Sequence, residues 1–237
     1  MNPSRKLGRF LFLCRYCLRH PEFLTTYIRR WHILERLDKR FKPEEMRLFS
    51  DECRAFYRGI ARKMERFPYL GSMDPRKYEL IYAITRMIRP GRVVETGVAA
   101  GVSSAIILQA LRRNGFGHLT SIDAGLANFD GITLTVPTGF FVPEECKGRW
   151  TLRTGLADEE LPKLLSDESH IDLFLHDSDH GYSNMSWELE FAWQVLPESG
   201  LLIADNVELN SAFKDFVERI GCPAAMIHGL GVAVKPS

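Results

Sequence analysis

Glu95-Thr96-Gly97-Val98-Ala99-Ala100-Gly101-Val102-Ser103-Ser104 is the stretch that decides how this chain folds. It follows the short apolar run Arg92-Val93-Val94-Glu95 and opens a helix. A strand that turns on glycine straight into a helix is the start of a βαβ unit. Glycines at such a turn let the backbone bend tightly and approach a ligand closely. The ExGxxxG spacing is not the GxGxxG of dinucleotide sites, and no GK[ST] is present to hold a triphosphate. NAD and nucleoside triphosphates are therefore disfavoured. A glycine-containing βα turn with no ligand is the plain alternative.

Outward from this turn, short apolar runs alternate with helical stretches. The runs are His118–Asp123, Trp150–Arg153, Ile171–Leu175 and Gly200–Asp205, with a last pair near Ala225–His228 and Val232–Val234. Strands separated by helices argue for a parallel sheet, and the final pair for a hairpin through Gly229-Leu230-Gly231. In such sheets ligands bind beyond the carboxyl ends of the strands. Polar residues collect at those ends. Asp123 closes the second run, where an acid can accept hydrogen bonds from ribose hydroxyls; the alternative is an Asp capping its own turn. His176-Asp177-Ser178-Asp179-His180-Gly181-Tyr182 follows Leu175, and Asp205-Asn206 follows Ala204. Two carboxylates and an amide oxygen suit Mg²⁺ or another hard divalent ion. Zinc held by His176, His180 and Asp177 is disfavoured because the HxxxH falls in a loop. Asp205-Asn206 alone would read as a helix cap or Asx turn.

With these motifs in hand, the chain resembles the class I S-adenosylmethionine-dependent methyltransferases over about residues 75–235. Within them it is similar to the cation-dependent O-methyltransferases of the catechol and caffeoyl-CoA type, and to the bacterial group whose fourth motif reads approximately DGDHSY. The resemblance implies an α/β fold: a Rossmann-like, mostly parallel seven-stranded sheet. It implies that Glu95, Gly97, Gly101, Ser103 and Asp123 bind S-adenosylmethionine, with Ser103 on the methionine carboxylate and Asp123 on the ribose. Thr154–Pro162 is similar to the stretch that packs on adenine, and since Ala157 stands where the catechol enzymes have serine, Asp158 is the expected contact. Asp177, Asp205 and Asn206 match the metal ligands. His180 stands three residues after Asp177, where the catechol enzymes place a lysine base and the DGDHSY group a histidine. Asp177 and His180 are thus the expected catalytic pair, acting on a small-molecule hydroxyl with S-adenosylmethionine and Mg²⁺ as cofactors. The alternatives are metal-independent transfer to nitrogen or carbon, and a non-catalytic scaffold on the same fold.

The 237 residues carry a net charge of +1 that hides an asymmetry. Residues 1–70 hold 17 Lys/Arg against 8 Asp/Glu, about +9, and the remainder is about −8. We expect a basic helical extension over 1–74 and the methyltransferase domain over 75–237. Three roles suit the basic helices: a cap over the substrate site, a homodimer element, or weak membrane-surface contact near residues 4–19. No nucleic-acid module is visible. Residues 124–149 are too long for an ordinary βα loop and read as a lid or substrate insertion, or as one that merely packs on the body. Trp187 and Trp193, at helical spacing, read as core. Five cysteines without regular spacing, Cys14 and Cys17 among them, suit a reducing compartment. No run reaches the roughly 18 apolar residues of a membrane span, and no secretory leader is recognisable, so a cytoplasmic setting is expected.

Overall fold

The computed structural model describes residues 21–67, 73–125, 128–129, 132–133, 136–167 and 170–237. The Cys14-Cys17 pair and the basic stretch 4–19 lie outside them. The helices are α1 (Pro21–Leu37), α2 (Pro43–Met64), α3 (Pro75–Ile88), α4 (Val102–Asn114), α5 (Ala157–Asp167), α6 (Tyr182–Val195) and α7 (Ala212–Ile220). The strands are β1 (Arg92–Thr96), β2 (His118–Asp123), β3 (Asn128–Phe129), β4 (Ile132–Thr133), β5 (Trp150–Thr154), β6 (Leu173–His176), β7 (Leu201–Ala204), β8 (Ala224–Ile227) and β9 (Leu230–Val234).

Among the described residues seven strands form one sheet in the order β5-β2-β1-β6-β7-β9-β8, with β3 and β4 a separate ribbon. Pairing is parallel from β5 to β7, and β9 runs antiparallel to both its neighbours. The chain moves outward from β1 through β2 to β5, then returns to β6 on the other side of β1. That reversal opens a crevice at the carboxyl ends of β1 and β6. Alternate residues feed two cores. Val93, Leu173, Leu175, Leu201 and Ile203 pack under α3 and α4, while Val94, Phe174, Leu202 and Ala204 face Met185, Leu189 and Ala192 of α6.

The register fixes the site. Ile122, Thr96, His176 and Ala204 pair in one row across four strands. The next residue on each strand is Asp123, Gly97, Asp177 or Asp205, so four separate motifs end at one level of one edge.

α3 brings a further element to this edge. Its start is set by Pro75 and by Asp74, whose carboxylate accepts the Arg76 N–H at 2.9 Å. Lys77 through Thr85 are all buried, since α3 lies against both α2 and α4. The buried Glu79 accepts from Arg30 of α1 at 3.1 Å and from Ser50 and Arg54 of α2 at 2.6 and 2.9 Å. The described part of the basic extension is thereby latched to α3.

Within 124–149, the stretch around Gly139 and Phe141 packs on the glycine turn. The Gly139 and Phe141 N–H groups donate to the Ala99 and Ala100 carbonyls, both at 2.9 Å, and Phe141 and Val142 are buried. Phe140 stays half exposed, edge-on to Phe67 at 5.3 Å.

The last hairpin differs from expectation in its turn. It turns on His228-Gly229, with φ of 55° and 80°, the left-handed pair that two-residue hairpins favour. Leu230 and Gly231 already belong to β9. Gly231 is there because a Cβ would lie 2.6 Å from the Phe213 ring, so it marks close packing and not a turn. Trp187 stacks on Phe191, and Trp193 meets Phe216 edge-on, both as packing residues.

Candidate active site

Glu95 is fully buried and accepts from the Ser104 and Ser121 hydroxyls at 2.5 and 2.8 Å. Burial raises its pKa, with the hydroxyls of Ser103, Ser104 and Ser121 pulling the other way. It therefore ties β1 to β2 and α4 from inside. Gly97 and Gly101 have φ of 81° and 82°. The close approaches they permit here are to the chain's own backbone: Asp177 for Gly97, and Gly139 for Gly101. Asp123 braces the same turn. Its Oδ2 accepts the Val98 and Ala99 N–H groups at 2.8 and 2.9 Å, and its Oδ1 the Gly125 N–H at 2.7 Å. Ser103 is buried in the first turn of α4, and Asp158 is exposed in the first turn of α5. Glu95, Gly97, Gly101, Ser103 and Asp123 are thus brought around one turn, with Asp158 on a helix of its own.

On the other side of the crevice, Asp177, His180 and Asp205 each offer an atom within 4.8 Å of the others. Asp205 is buried, while the Asp177 side chain is 21 % exposed. Asn206 sits at φ 54°, a left-handed conformation that Asn tolerates better than most residues. His180 Nε2 is 4.0 Å from Asp177 Oδ1. Burial pushes the Asp177 carboxyl well above its ordinary range, and the Asp205 and Glu95 carboxylates add to it. Burial, helped by His176, lowers the His180 pKa, favouring the neutral imidazole. Its Nδ1 is buried and has no hydrogen-bond partner among the described residues.

Two residues of this site escaped the motif reading. Lys77, from α3, places Nζ 2.6 Å from Asp205 Oδ1 and 2.8 Å from Asn206 Oδ1. Glu188, from α6, is fully buried beneath the loop that carries Asp177. It accepts from His176 Nδ1 at 2.8 Å, Ser178 Oγ at 2.6 Å, Asn184 Nδ2 at 3.0 Å and the Thr96 hydroxyl. Burial pushes its pKa up, but these donors outweigh that and hold it below the ordinary value. The available signal was compositional: an acid flanked by Met185, Leu189 and Ala192 on a core face, and a lysine opening a helix whose next eight residues are buried.

The donor set can be tested against a divalent ion. Two carboxylates and an amide oxygen are hard oxygen donors, and the 4.8 Å span of the Asp177–His180–Asp205 atoms is within reach of one ion with bonds of about 2.1–2.5 Å. By donor type Asp177, Asp205 and Asn206 fit such an ion once the Lys77 ammonium is off Asp205 Oδ1 and Asn206 Oδ1.

The sequence profile of a methyltransferase domain matches residues 94–207, from inside β1 to just past Asn206. No curated protein matches the chain. Among solved structures, the O-methyltransferase TomG from Streptomyces achromogenes, involved in tomaymycin synthesis and solved with S-adenosylmethionine, is 17 % identical. It has a TM-score of 0.56, and the alignment covers 75 % of this chain and 86 % of TomG. An O-methyltransferase from Bacillus cereus, solved with S-adenosylhomocysteine, is 16 % identical with a TM-score of 0.54, over 79 % of this chain and 90 % of that one. At such identities these likenesses establish the fold. Domain profile, strand order and motif placement agree: the chain carries a methyltransferase domain over residues 94–207, on the sheet of the class I fold.

Proposed function

We propose that the enzyme transfers the methyl group of S-adenosylmethionine to a hydroxyl oxygen of a small molecule, with a divalent cation, Mg²⁺ by the hardness of the donors. The observation that carries this reading is the register row that ends in Gly97, Asp123, Asp177 and Asp205. It supports a cofactor half and a carboxylate half meeting at one crevice.

In this reading the cofactor lies over the glycine turn between Asp123 and Ser103, with Asp158 toward its base. Its sulfonium supplies an activated methyl group, so the chain's remaining task is the acceptor, since a neutral hydroxyl is a poor nucleophile. The cation, when held by Asp177, Asp205 and Asn206, supplies positive charge that favours the deprotonated acceptor. His180 Nε2 takes the hydroxyl proton, and its lowered pKa keeps it neutral and ready near pH 7. Glu188 acts from below, fixing His176 and the Ser178 hydroxyl and so the loop that aims Asp177 and His180. A reducing cytoplasm is part of the proposal, supported by the free, buried thiols of Cys53, Cys146 and Cys222. Among the described residues no helix is long and apolar enough to cross a membrane.

The test is calorimetric titration of S-adenosylmethionine, followed by turnover on a panel of hydroxylated acceptors with Mg²⁺ or with chelator. Saturable cofactor binding and chelator-sensitive turnover are expected. Turnover that persists in chelator would replace this reading with metal-independent transfer to nitrogen or carbon. Cofactor binding with no turnover on any acceptor would favour a scaffold.

A further inference from the structure

The place between Asp205 and Asn206 already holds a positive charge. Lys77 spends two of its three N–H donors on Asp205 Oδ1 and Asn206 Oδ1, oxygens of two of the three protein ligands of the proposed cation. A cation binding both oxygens at about 2.1–2.5 Å would take the space in which Nζ now sits. Lys77 and Asp205 side chains are only 8 % and 3 % exposed, so solvent screens this pair little. Charge gives the same answer. Asp177 and Asp205 supply at most two negative charges, and the ammonium cancels one, leaving a poor site for a dication.

Resting on the cation reading above, we infer that Lys77 is a tethered counter-cation. It holds Asp205 and Asn206 in place while no ion is bound, and it must swing out for a divalent ion to enter. The backbone cannot do the moving. Asp74 and Pro75 fix the start of α3, and Glu79, two residues after Lys77, is latched to α1 and α2. The lysine stem, four flexible carbons long, is the mobile part. The apparent affinity for metal is then the intrinsic affinity multiplied by the fraction of time Lys77 is out.

The experiment is a Mn²⁺ titration of the full chain with S-adenosylmethionine present, following free Mn²⁺ by electron paramagnetic resonance, for wild type and Lys77→Met. Methionine keeps much of the stem volume and removes the charge. The variant is expected to bind Mn²⁺ about tenfold more tightly or better. Equal or weaker affinity overturns the exchange and leaves the cation reading standing. Absence of Mn²⁺ binding in both proteins, with cofactor binding retained, overturns both. The wild type alone gives a second readout, independent of whether the variant folds. Amine acylation read by mass spectrometry should label Lys77 severalfold faster at saturating Mn²⁺, with Lys214 as the surface reference. Unchanged Lys77 labelling while Mn²⁺ is bound overturns the inference.

Discussion

A Cβ on Gly97 would lie 2.0 Å from the carbonyl oxygen of Asp177, so the glycine turn after β1 and the loop after β6 meet backbone to backbone. The contact joins the proposed cofactor half of the site to its carboxylate half. Gly97 also sits at φ 81°, where an L side chain is strained. Gly97→Ala therefore combines conformational strain with a clash that only backbone movement relieves, at about 2–4 kcal/mol. Gly115→Ala is the control. Gly115 has φ 82° but nothing among the described residues within 4 Å of its would-be Cβ, so it carries the conformational cost alone, about 1 kcal/mol. Denaturant midpoints of the two variants should differ in that order. Equal shifts would mean the two loops part easily.

The sequence made the edge of this sheet legible and left its underside hidden. Glu95, Asp123, Asp177 and Asp205 each close an apolar run, and parallel strands in register must bring such ends together. Lys77 and Glu188 close no run. They reach the site through helix packing across 128 and 12 residues of chain. Periodicity gives a helix's buried face but not its rotation over the sheet, so a buried charge is visible in sequence while its partner is not. The turn of the last hairpin was missed for a related reason: Gly231 signals the nearness of Phe213, which no local pattern reports.

Asp177→Ala and Asp205→Ala should both lower turnover, by about a hundredfold or more, and leave S-adenosylmethionine affinity within a few-fold of wild type. Their stabilities should separate. Removing Asp205 takes away the charged partner of the buried Lys77 ammonium, a loss of about 3–5 kcal/mol. Removing Asp177 deletes a carboxylate that burial and its neighbours already disfavour as an anion, so that variant should be nearly as stable as wild type or more so. Thermal melts beside turnover assays decide it. Full turnover in both variants would remove these carboxylates from the mechanism.

Glu188→Leu should destabilise the protein by about 3 kcal/mol or more, because the donors of His176, Ser178, Asn184 and Thr96 lose a common buried acceptor. Glu188→Gln keeps one acceptor oxygen and the shape, and should lie between that variant and wild type. If Glu188 also aims the Asp177–His180 loop, kcat falls in Glu188→Gln while the cofactor Kd stays put. A stability loss with unchanged kcat would confine Glu188 to packing.

His228 predicts how the fold responds to acid. Burial, and the nearby charges of Arg76, Arg30 and Lys77, push its pKa down to about 4 against the raising effect of Asp74. In the unfolded chain it titrates near ~6.5. Between those values the unfolded state binds the extra proton, so stability contributed by neutral His228 is complete above about pH 6.5. It is lost as pH falls toward 4 and changes no further below that. The shift would be worth about 3 kcal/mol for a fully buried group, and partial exposure reduces this to about 1–2 kcal/mol. Asn accepts the left-handed φ of 55° at this turn without a titrating ring, so His228→Asn is the matched variant. Unfolding free energies at pH 7 and pH 4.5 should fall less in the variant by that amount. Parallel pH dependence in the two proteins would show that His228 is protonated without penalty in the folded state.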